Sequence, residues 1–392
     1  MQREDFVDPL GGELVLSPQG ALAFVPNALP PLLAWDAPLV QALSRADARL
    51  SELSGIGRQL PNPHLLIAPY MRQEAVLSSR IEGTQASLSD LFEEELRPAD
   101  GASQPRVPDA VEVRNYVLAL EHGIRRLPTF PLSLRLVCEL HERLMRGVRG
   151  GDRNPGEFRR HQNYIGVQGS RIETASFVPP PPDRLMSCLD AWEKFLNERP
   201  ELPDLVQCAL LHAQFETIHP FADGNGRVGR LLITLFLIER GRLSEPLLYL
   251  SAFIEANKAD YYERLQRTRT RGDWRGWLLY FLAGVEITAR LAAEQVTALL
   301  ALRERYRVEF LGNGGMQLLL DSLFQNPLTD AKRAARVMNK TDPTARAAIA
   351  KLEALGWLRE LTGRSWGKLY VAQELMALFE KVDSDLRAPL VA

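Results

Sequence analysis

Apolar residues recur along most of this chain every three or four positions, which is the spacing of one face of an α-helix, and alternating strand-like patterns are few. Near the start, Pro26, Pro30 and Pro31 exclude a helix interior and predict extended chain. The predicted fold class is therefore mainly α. The predicted helices cover residues 36–59, 63–80, 108–126, 132–147, 183–198, 203–217, 226–240, 257–268 and 273–302.

One segment interrupts the helical pattern. Between residues 161 and 178 the runs "NYIGV" and "ASFV" are strand-like, and the polar, glycine-containing turn "QGSR" lies between them. Two such runs around a short turn predict a β-hairpin. Four prolines at 179–182 end the hairpin and precede the next helix.

The last part of the chain also changes its pattern. Three short helical segments precede the strand-like runs "WLREL" and "KLYVA", which are joined by "TGRSWG". Helix-turn-helix followed by a two-stranded wing is the winged-helix layout. A stretch rich in proline, glycine and serine at 98–110 predicts a linker. We therefore expect an N-terminal helical segment at 1–107, a helical core at 108–302 and a winged-helix domain at 313–392.

Composition narrows the classes of partner. The net charge of the 392 residues is −2, so no overall field attracts nucleic acid or an anionic membrane. Three scattered cysteines, Cys138, Cys188 and Cys208, favour a reducing compartment. The acidic start lacks the apolar core of a signal peptide, and the longest apolar runs are too short to span a bilayer. We expect a cytoplasmic protein without membrane contact.

The candidate chemistry lies in "HPFADGNGRVGR", His219 to Arg230, directly before the apolar run "LLITLFLIER". That run must be a buried helix, so the polar stretch supplies its N-terminus, with unpaired N–H groups and the positive end of the helix dipole. Gly224 and Gly226 let the backbone turn tightly and bring amides close to an anion. This combination predicts a phosphate cradle.

Other side chains in the stretch add to this chemistry. Arg227 and Arg230 lie three apart and suit adjacent phosphates. A carboxylate at Asp223, beside a site for anions, indicates a bridging Mg²⁺. His219 can take a proton from an attacking hydroxyl, and Asn225 can donate to a phosphate oxygen. A purely structural Gly-rich turn is the alternative, but it leaves the crowding of these polar groups unexplained.

The stretch matches every fixed position of the motif H-x-F-x-[D/E]-G-N-G-R-x-x-R, and the chain thereby resembles the Fic family. The resemblance implies a helical catalytic core that transfers AMP from ATP to a Tyr, Thr or Ser hydroxyl of a protein and releases pyrophosphate. It also implies a role for each matching position: His219 as general base, Phe221 as a buried anchor, Asp223 as the Mg²⁺ ligand, Gly224, Asn225 and Gly226 as the anion hole, Arg227 as a phosphate contact and Arg230 as the γ-phosphate contact.

The predicted hairpin resembles the Fic flap, which holds the acceptor segment by strand addition. On this basis Tyr164, Ile165, Gly166 and Val167 are candidate target-binding residues. An ordinary surface hairpin is the alternative, and only the neighbouring motif favours the flap.

The segment "SSRIEG" at 78–83 resembles the Fic inhibitory motif, [S/T]-x-x-x-E-[G/N]. Ser78 and Glu82 are four apart and so share one helix face, and Gly83 is an ordinary helix end. Carried over, Glu82 pairs with Arg230 and blocks the γ-phosphate position, while Ser78 orients the inhibitory helix. Without the resemblance, this would be a routine solvated helix face.

Further positions stay open. Asn257, Tyr261 and Tyr262 either border the adenine or pack between helices. Residues 331–370 carry nine basic and three acidic side chains, which suits DNA, although an interaction module is equally compatible. A DNA-binding regulator with a nucleotide-sensing core is the rival function, and removal of AMP by the same site is another. Self-modification is expected. The sequence leaves a homodimer open.

Overall fold

The computed structural model describes residues 1–7, 11–60, 63–96, 109–166, 169, 171–380 and 386. Helices dominate it, as predicted. The helices are α1 Ala37–Arg58, α2 Pro63–Ile81, α3 Leu88–Glu95, α4 Asp109–Arg126, α5 Leu134–Leu144, α6 Pro182–Asn197, α7 Asp204–Ile218, α8 Asn225–Glu239, α9 Leu250–Ala256, α10 Lys258–Arg271, α11 Trp274–Glu309, α12 Gly314–Gln325, α13 Ala331–Met338, α14 Asp342–Ala354 and α15 Gln373–Glu380.

The strands are short and lie at the two ends of the chain. In chain order they are β1 Gly12–Leu16, β2 Leu22–Pro26, β3 Leu328–Thr329, β4 Leu358–Glu360 and β5 Tyr370–Ala372. β1 and β2 form an antiparallel hairpin in register from Gly12–Pro26 to Leu16–Leu22. The other three form an antiparallel sheet in the order β3-β5-β4.

The centre of the molecule is the pair of helices α7 and α8. Every residue of α7 from Leu205 to Ile218 is buried, and most of α8 is buried as well. Such helices lack an exposed polar face, which is why they must lie inside a layer of other helices. α4, α5, α6, α10 and α11 surround them, and α1 packs along α11. The polar stretch therefore sits between the two most buried helices.

α11 is the one described helix that is long and apolar enough to cross a bilayer by length and composition. In the fold, 72% of its most apolar window is buried. It is capped by Asp273, whose side chain accepts a hydrogen bond from the Gly276 N–H, and it runs from Trp274 to Glu309, beyond the predicted end at 302.

The C-terminal unit has the predicted order of helices and strands, α12 to α14 followed by β4 and β5. It packs against the N-terminal segment, because α12 lies on α2. Phe92 of α3 joins a small core with Leu328, Val371 and Met376. The predicted linker falls largely on residues 98–108, outside the described residues, and the division at 1–107, 108–302 and 313–392 stays a prediction.

The predicted hairpin between 161 and 178 is much reduced. Its two arms meet in one antiparallel bridge, in which Ile165 and Phe177 exchange backbone hydrogen bonds of 2.8 and 3.1 Å. A 3₁₀ turn, Ile172–Thr174, directly precedes the second strand-like run, "ASFV". Val167 lies outside the described residues. Among the described residues, the predicted hairpin is therefore present as one antiparallel bridge rather than as two regular strands.

Candidate active site

The polar stretch forms the connection between α7 and α8. α7 ends at His219, whose backbone is left-handed at φ 49° and ψ 62°. α8 follows Gly224, which is also left-handed at φ 76°. A side chain larger than glycine's costs energy in this conformation, so the surrounding structure must hold His219 there. Strain of this kind concentrates at functional sites and marks His219 for attention.

The residue His219 is partly buried. Its Nδ1 atom is inaccessible to solvent and has no hydrogen-bond partner among the described residues. Burial lowers the pKa of His219 to about 4, and the positive charges of Arg159 and Arg269 add to the effect. The imidazole is therefore neutral at neutral pH. A neutral imidazole can accept a proton from a substrate hydroxyl.

Two side chains inside the loop fix its shape. The Phe221 N–H donates to Asn225 Oδ1 at 2.8 Å, and Asn225 Nδ2 donates to the Phe221 carbonyl at 2.9 Å. The buried Phe221 ring stacks on His141 with 3.7 Å between ring centroids. The Asn225 amide is thus committed to the loop. Our expectation that this amide donates to a phosphate does not fit, and Asn225 can contribute to an anion site only through its backbone N–H.

Arg159, from the segment that precedes the bridge, clamps the loop from outside. Its Nε donates to the His219 carbonyl at 2.9 Å, and its Nη2 donates to the Pro180 carbonyl at 2.6 Å. Asn163 Nδ2 donates to the carbonyls of His219 and Phe221, at 3.3 and 3.0 Å. The predicted flap is therefore joined to the motif loop at its base, which places Tyr164, Ile165 and Gly166 beside the loop.

The N-terminus of α8 already faces an anion. The first N–H groups of a helix have no intrahelical partner, and here they belong to Asn225, Gly226 and Arg227. A Cβ on Gly226 would overlap Glu82 Oε1, so a carboxylate lies directly against the backbone at this position. Only glycine permits that approach. The predicted anion cradle is thus a place where the protein's own Glu82 is bound.

Arg230 holds the same carboxylate. Its Nη2 donates to Glu82 Oε1 at 2.7 Å and to the Ser78 carbonyl at 2.9 Å, and its Nε donates to Ser78 Oγ at 2.9 Å. Burial raises the pKa of Glu82, but Arg230, with Arg227 and His219 behind it, outweighs burial and leaves that pKa below its usual value. Gly83 follows at φ 96°, a conformation that favours glycine. Ser78 and Glu82 therefore contact the motif together through Arg230, and Gly83 follows them in the turn after α2.

Arg227 is buried and has a different carboxylate. Its Nη1 donates to Glu112 Oε2 at 3.1 Å, and its Nη2 lies 3.5 Å from the Met145 sulfur. The Thr84 hydroxyl donates to the same Glu112 oxygen at 3.1 Å. In this conformation Arg227 is oriented by α4, and a phosphate would have to share the guanidinium with Glu112.

Asp223 lies at the open side of the loop. Its side chain is 38% exposed, and Oδ1 accepts a hydrogen bond from the Gly224 N–H at 2.7 Å. The other oxygen faces the backbone at Gly150. No cluster of three or more potential ligands occurs among the described residues. One exposed carboxylate next to a phosphate cradle fits Mg²⁺, which commonly binds one protein carboxylate, substrate phosphates and water.

The three candidate adenine neighbours lie in different environments in the structure. Tyr261 is buried in an aromatic cluster with Trp277 and Tyr280, and its hydroxyl lies 2.9 Å from His212 Nε2. Its position supports the packing alternative. Tyr262 is 45% exposed. The Asn257 amide donates to the Phe253 carbonyl at 2.9 Å, which closes the junction between α9 and α10.

Sequence reasoning missed Glu112, His141 and Arg159. His141 Nε2 lies 3.1 Å from the Asp223 carbonyl, and its Nδ1 accepts from the Gly156 N–H at 2.8 Å. Burial is the main reason that the pKa of His141 falls to about 4. Their partners lie far away along the chain, so no local spacing predicts them. A polar residue on the buried face of a predicted helix is the signal that could have found Glu112 and His141.

Comparison with known protein families and solved structures agrees with this fold. Residues 40–125 match the Fic/DOC family N-terminal model, and residues 131–237 match the Fic/DOC family model. The fold is similar to that of a Fic family protein from Desulfovibrio desulfuricans G20, with a TM-score of 0.56 and 20% identity over 88% of this chain and 98% of that one. This chain belongs to the Fic/DOC family and has the Fic fold.

Relatives with assigned names are distant. The probable protein adenylyltransferase of Aquifex aeolicus (strain VF5) is 27% identical over 207 residues, 50% of this chain and 59% of the relative. Protein adenylyltransferase Fic of Drosophila erecta is 30% identical over 192 residues, 46% of this chain and 34% of the relative. The chain thus spans less than two thirds of the length of these relatives.

Proposed function

We propose that this protein is an adenylyltransferase that transfers AMP from ATP to a hydroxyl of a protein side chain. The observation that carries the proposal is the anion cradle at the start of α8, where the Arg230 guanidinium binds a carboxylate that lies against the Gly226 backbone. The triphosphate of ATP has the charge and the oxygens to replace that carboxylate. The names of the distant relatives support the same class of reaction.

In the proposed reaction the acceptor oxygen attacks the α-phosphorus, and the bond from that phosphorus to the bridging oxygen breaks. His219 takes the hydroxyl proton, since burial keeps its imidazole neutral at neutral pH. Pyrophosphate leaves, held by Arg230 and the N–H groups of α8. Catalysis then consists of positioning and charge neutralisation.

Asp223 is the residue that would hold Mg²⁺. When bound, the ion would neutralise charge on the phosphates. The chain's own contribution is to fix the carboxylate: the Gly224 N–H donates to one oxygen, and His141 holds the Asp223 carbonyl. These contacts orient Asp223 toward the open side of the cradle.

Glu82 would act as a brake in this scheme. Its carboxylate occupies the cradle and Arg230, which the γ-phosphate needs. Each factor of ten in rate corresponds to about 1.4 kcal/mol, so one charge-assisted pair is enough to suppress turnover strongly. The wild-type protein should then be nearly silent with ATP.

The test is mass spectrometry of the whole protein after incubation with ATP and Mg²⁺. Wild type should gain little mass, and Glu82→Gly should gain AMP units through self-modification. Glu82→Gln, which keeps the shape and removes the charge, should fall between them. Glu82→Gly combined with His219→Ala should gain none while keeping its fold by circular dichroism.

Two outcomes would overturn parts of this proposal. An unmodified Glu82→Gly protein would remove the transferase activity, and equal modification of wild type and Glu82→Gly would remove the brake. The same instrument detects hydrolytic removal: if the site removes AMP, the purified AMP-modified protein, incubated with wild type and Mg²⁺ without ATP, would lose AMP to water and recover the free hydroxyl.

A second function, DNA contact, is favoured by the exposed side of the C-terminal unit. α14 buries Ala345, Ile349 and Leu352, whereas Arg346 and Lys351 are exposed. The turn between β4 and β5 exposes Arg364, Lys368 and Trp366, the last at 79%. A basic helix beside a basic wing suits a phosphate backbone.

An electrophoretic shift tests DNA contact. Double-stranded DNA should shift with wild type and shift less with Arg346→Glu, and the effect should weaken as salt rises. Arg290→Glu on α11, an exposed arginine outside the C-terminal unit, serves as the control. No shift at low salt would remove this function.

A further inference from the structure

The segment beside the motif loop is strongly basic, in contrast to the whole chain. Residues 143–171 contain seven arginines and two acidic residues, Asp152 and Glu157, in a chain whose net charge is −2. One of the seven, Arg159, is buried and holds the motif loop, as described above. The others lie at exposed positions. Their charge is therefore available to a molecule that approaches from solvent.

Several of these residues line one groove. The groove has a volume of about 590 Å³, and its lining includes Arg153, Arg160, His161, Tyr164 and Ala222. Among the described residues, Arg160 has an ion pair with Glu157 at 3.0 Å, and Arg153 has none. Both ends of the Arg160 pair are more than half exposed, so the pair can be exchanged at little cost.

The groove leads to the candidate catalytic loop. Ala222 lies between His219 and Asp223 in the motif, and Asn163 in the groove wall donates to the carbonyls of His219 and Phe221. A segment bound in the groove would therefore lie beside the motif loop that carries His219. The charged side chains of that segment would lie against Arg153, Arg160 and His161.

We infer that this groove, defined by Arg153, Arg160, His161, Tyr164 and Ala222, binds the acceptor segment of the target protein and selects segments with acidic side chains. The inference rests on the proposed adenylyl transfer and adds the chemistry of the target. Exposed arginines attract carboxylates and repel lysines at the rim of an interface, which changes specificity more than total affinity.

The test measures binding separately from catalysis. Fluorescently labelled peptides with one tyrosine between glutamates, or between lysines, are titrated against the Glu82→Gly protein and followed by anisotropy. The glutamate peptide should bind at least tenfold more tightly. Arg153→Glu with Arg160→Glu should weaken its binding about tenfold, because attractive contacts become repulsive. Higher salt should reduce the preference.

Controls distinguish this inference from the proposed function. Lys194→Glu, an exposed cation on α6 outside the groove, should leave peptide binding unchanged. ATP binding and label transfer from ATP to the protein itself are measured on the same variants. Loss of transfer in Glu82→Gly would refute the proposed function, whereas intact transfer without peptide preference would refute only the groove assignment.

Other outcomes would also overturn the inference. Equal binding of both peptides, or of neither, would mean that the arginines do not select acidic segments. A single-stranded oligonucleotide that binds more tightly than the glutamate peptide would assign the groove to nucleic acid. Weaker ATP binding in the double variant would assign the arginines to the nucleotide instead.

Discussion

Arg227 and Arg230 stand about one helical turn apart at the start of α8, and each has a carboxylate from a different helix. Arg230 pairs with Glu82, whose side chain is one-third exposed at 33%. Arg227 pairs with Glu112, and both of these side chains are almost completely buried. An exposed partner can leave and be replaced by a phosphate. A buried partner cannot leave without abandoning a charge in a low-dielectric interior.

We therefore expect the Arg230–Glu82 pair to be exchangeable and the Arg227–Glu112 pair to stabilise the fold. The Glu112→Gln variant tests this difference. Removing the negative charge leaves the buried Arg227 with only the partly exposed Asp223 carboxylate at 3.9 Å, so the free energy of unfolding should fall by about 2–4 kcal/mol in urea denaturation. The control is Glu139→Gln on α5, which breaks the pair with Arg126 at a partly exposed site. There we expect a loss of at most about 1 kcal/mol. Equal losses for the two variants would contradict a structural role for the buried pair.

At the scale of the element, α2 presents one polar stripe to the core. Glu74 and Ser78 are four residues apart and share a face of α2, and Glu82 continues the same spacing in the turn directly after Ile81. Glu74 is hydrogen-bonded to the hydroxyls of Ser251 and Tyr116, the latter at 3.1 Å. Burial raises the pKa of Glu74 to about 7, despite these bonds and the charge of Arg230. α2 is therefore held by a carboxyl group that is partly protonated near neutral pH.

The raised pKa predicts a pH-dependent stability. Between about pH 5 and 7 the folded protein keeps the Glu74 proton while the unfolded chain has lost it, so this group's contribution to stability falls as pH rises. Relative to wild type, Glu74→Gln should therefore gain about 2–3 kcal/mol in unfolding free energy from about pH 5 to 8.

The difference between the two proteins is the useful quantity. Buried histidines such as His212, whose pKa burial lowers to about 3, titrate in the opposite direction and are common to both. Glu216, whose pKa burial raises to about 7, is also common to both. If the difference in unfolding free energy stays constant across this pH range, Glu74 is ionised in the folded protein.

The elements also divide by how far sequence could predict them. All nine helices predicted between residues 36 and 302 are present. Apolar residues that recur every three or four positions over a long segment share one face only when the segment is a helix. α3, α9 and α15, at seven or eight residues each, are too short for the period to show. The extended chain predicted around Pro26 covers only the end of β2, and no local pattern predicted β1 or its pairing with β2.

The candidate site divides in the same way. The motif loop, its glycine turns and the helix N-terminus follow from local sequence, and the Fic resemblance supplied the partner of Arg230. The Glu112–Arg227 pair joins residues 115 positions apart, and Arg159 reaches the His219 carbonyl across 60. Contacts at such separations depend on how helices pack, which periodicity does not determine.

At the scale of the whole molecule, α2 lies between the motif and the C-terminal unit. One side carries Ser78 and Glu82 to Arg230. On the other side, Gln73 donates to the Phe379 carbonyl at 3.2 Å, and the Phe379 ring meets Tyr70 edge-on at 6.3 Å. Support from the C-terminal unit therefore favours the position of α2 in which Glu82 fills the cradle.

Phe379→Ala should test this coupling. Phe379 is buried, and its loss should reduce unfolding free energy by about 3–5 kcal/mol. Because the lost contact lies against α2, release of Glu82 should become easier, and self-modification with ATP should exceed that of wild type. Phe379→Leu, which leaves a smaller cavity, should give the same direction with a smaller change.

Phe310→Ala is the matched control. Phe310 is also buried, but its ring packs edge-on against Trp357 at 5.7 Å and under the Lys351 ammonium, inside the C-terminal unit. It should cost similar stability and leave self-modification at the wild-type level. If both alanine variants raise label transfer equally, general loosening of the fold explains the gain. A gain confined to the Phe379 variants means that the C-terminal unit controls α2, since only that contact separates the two sites.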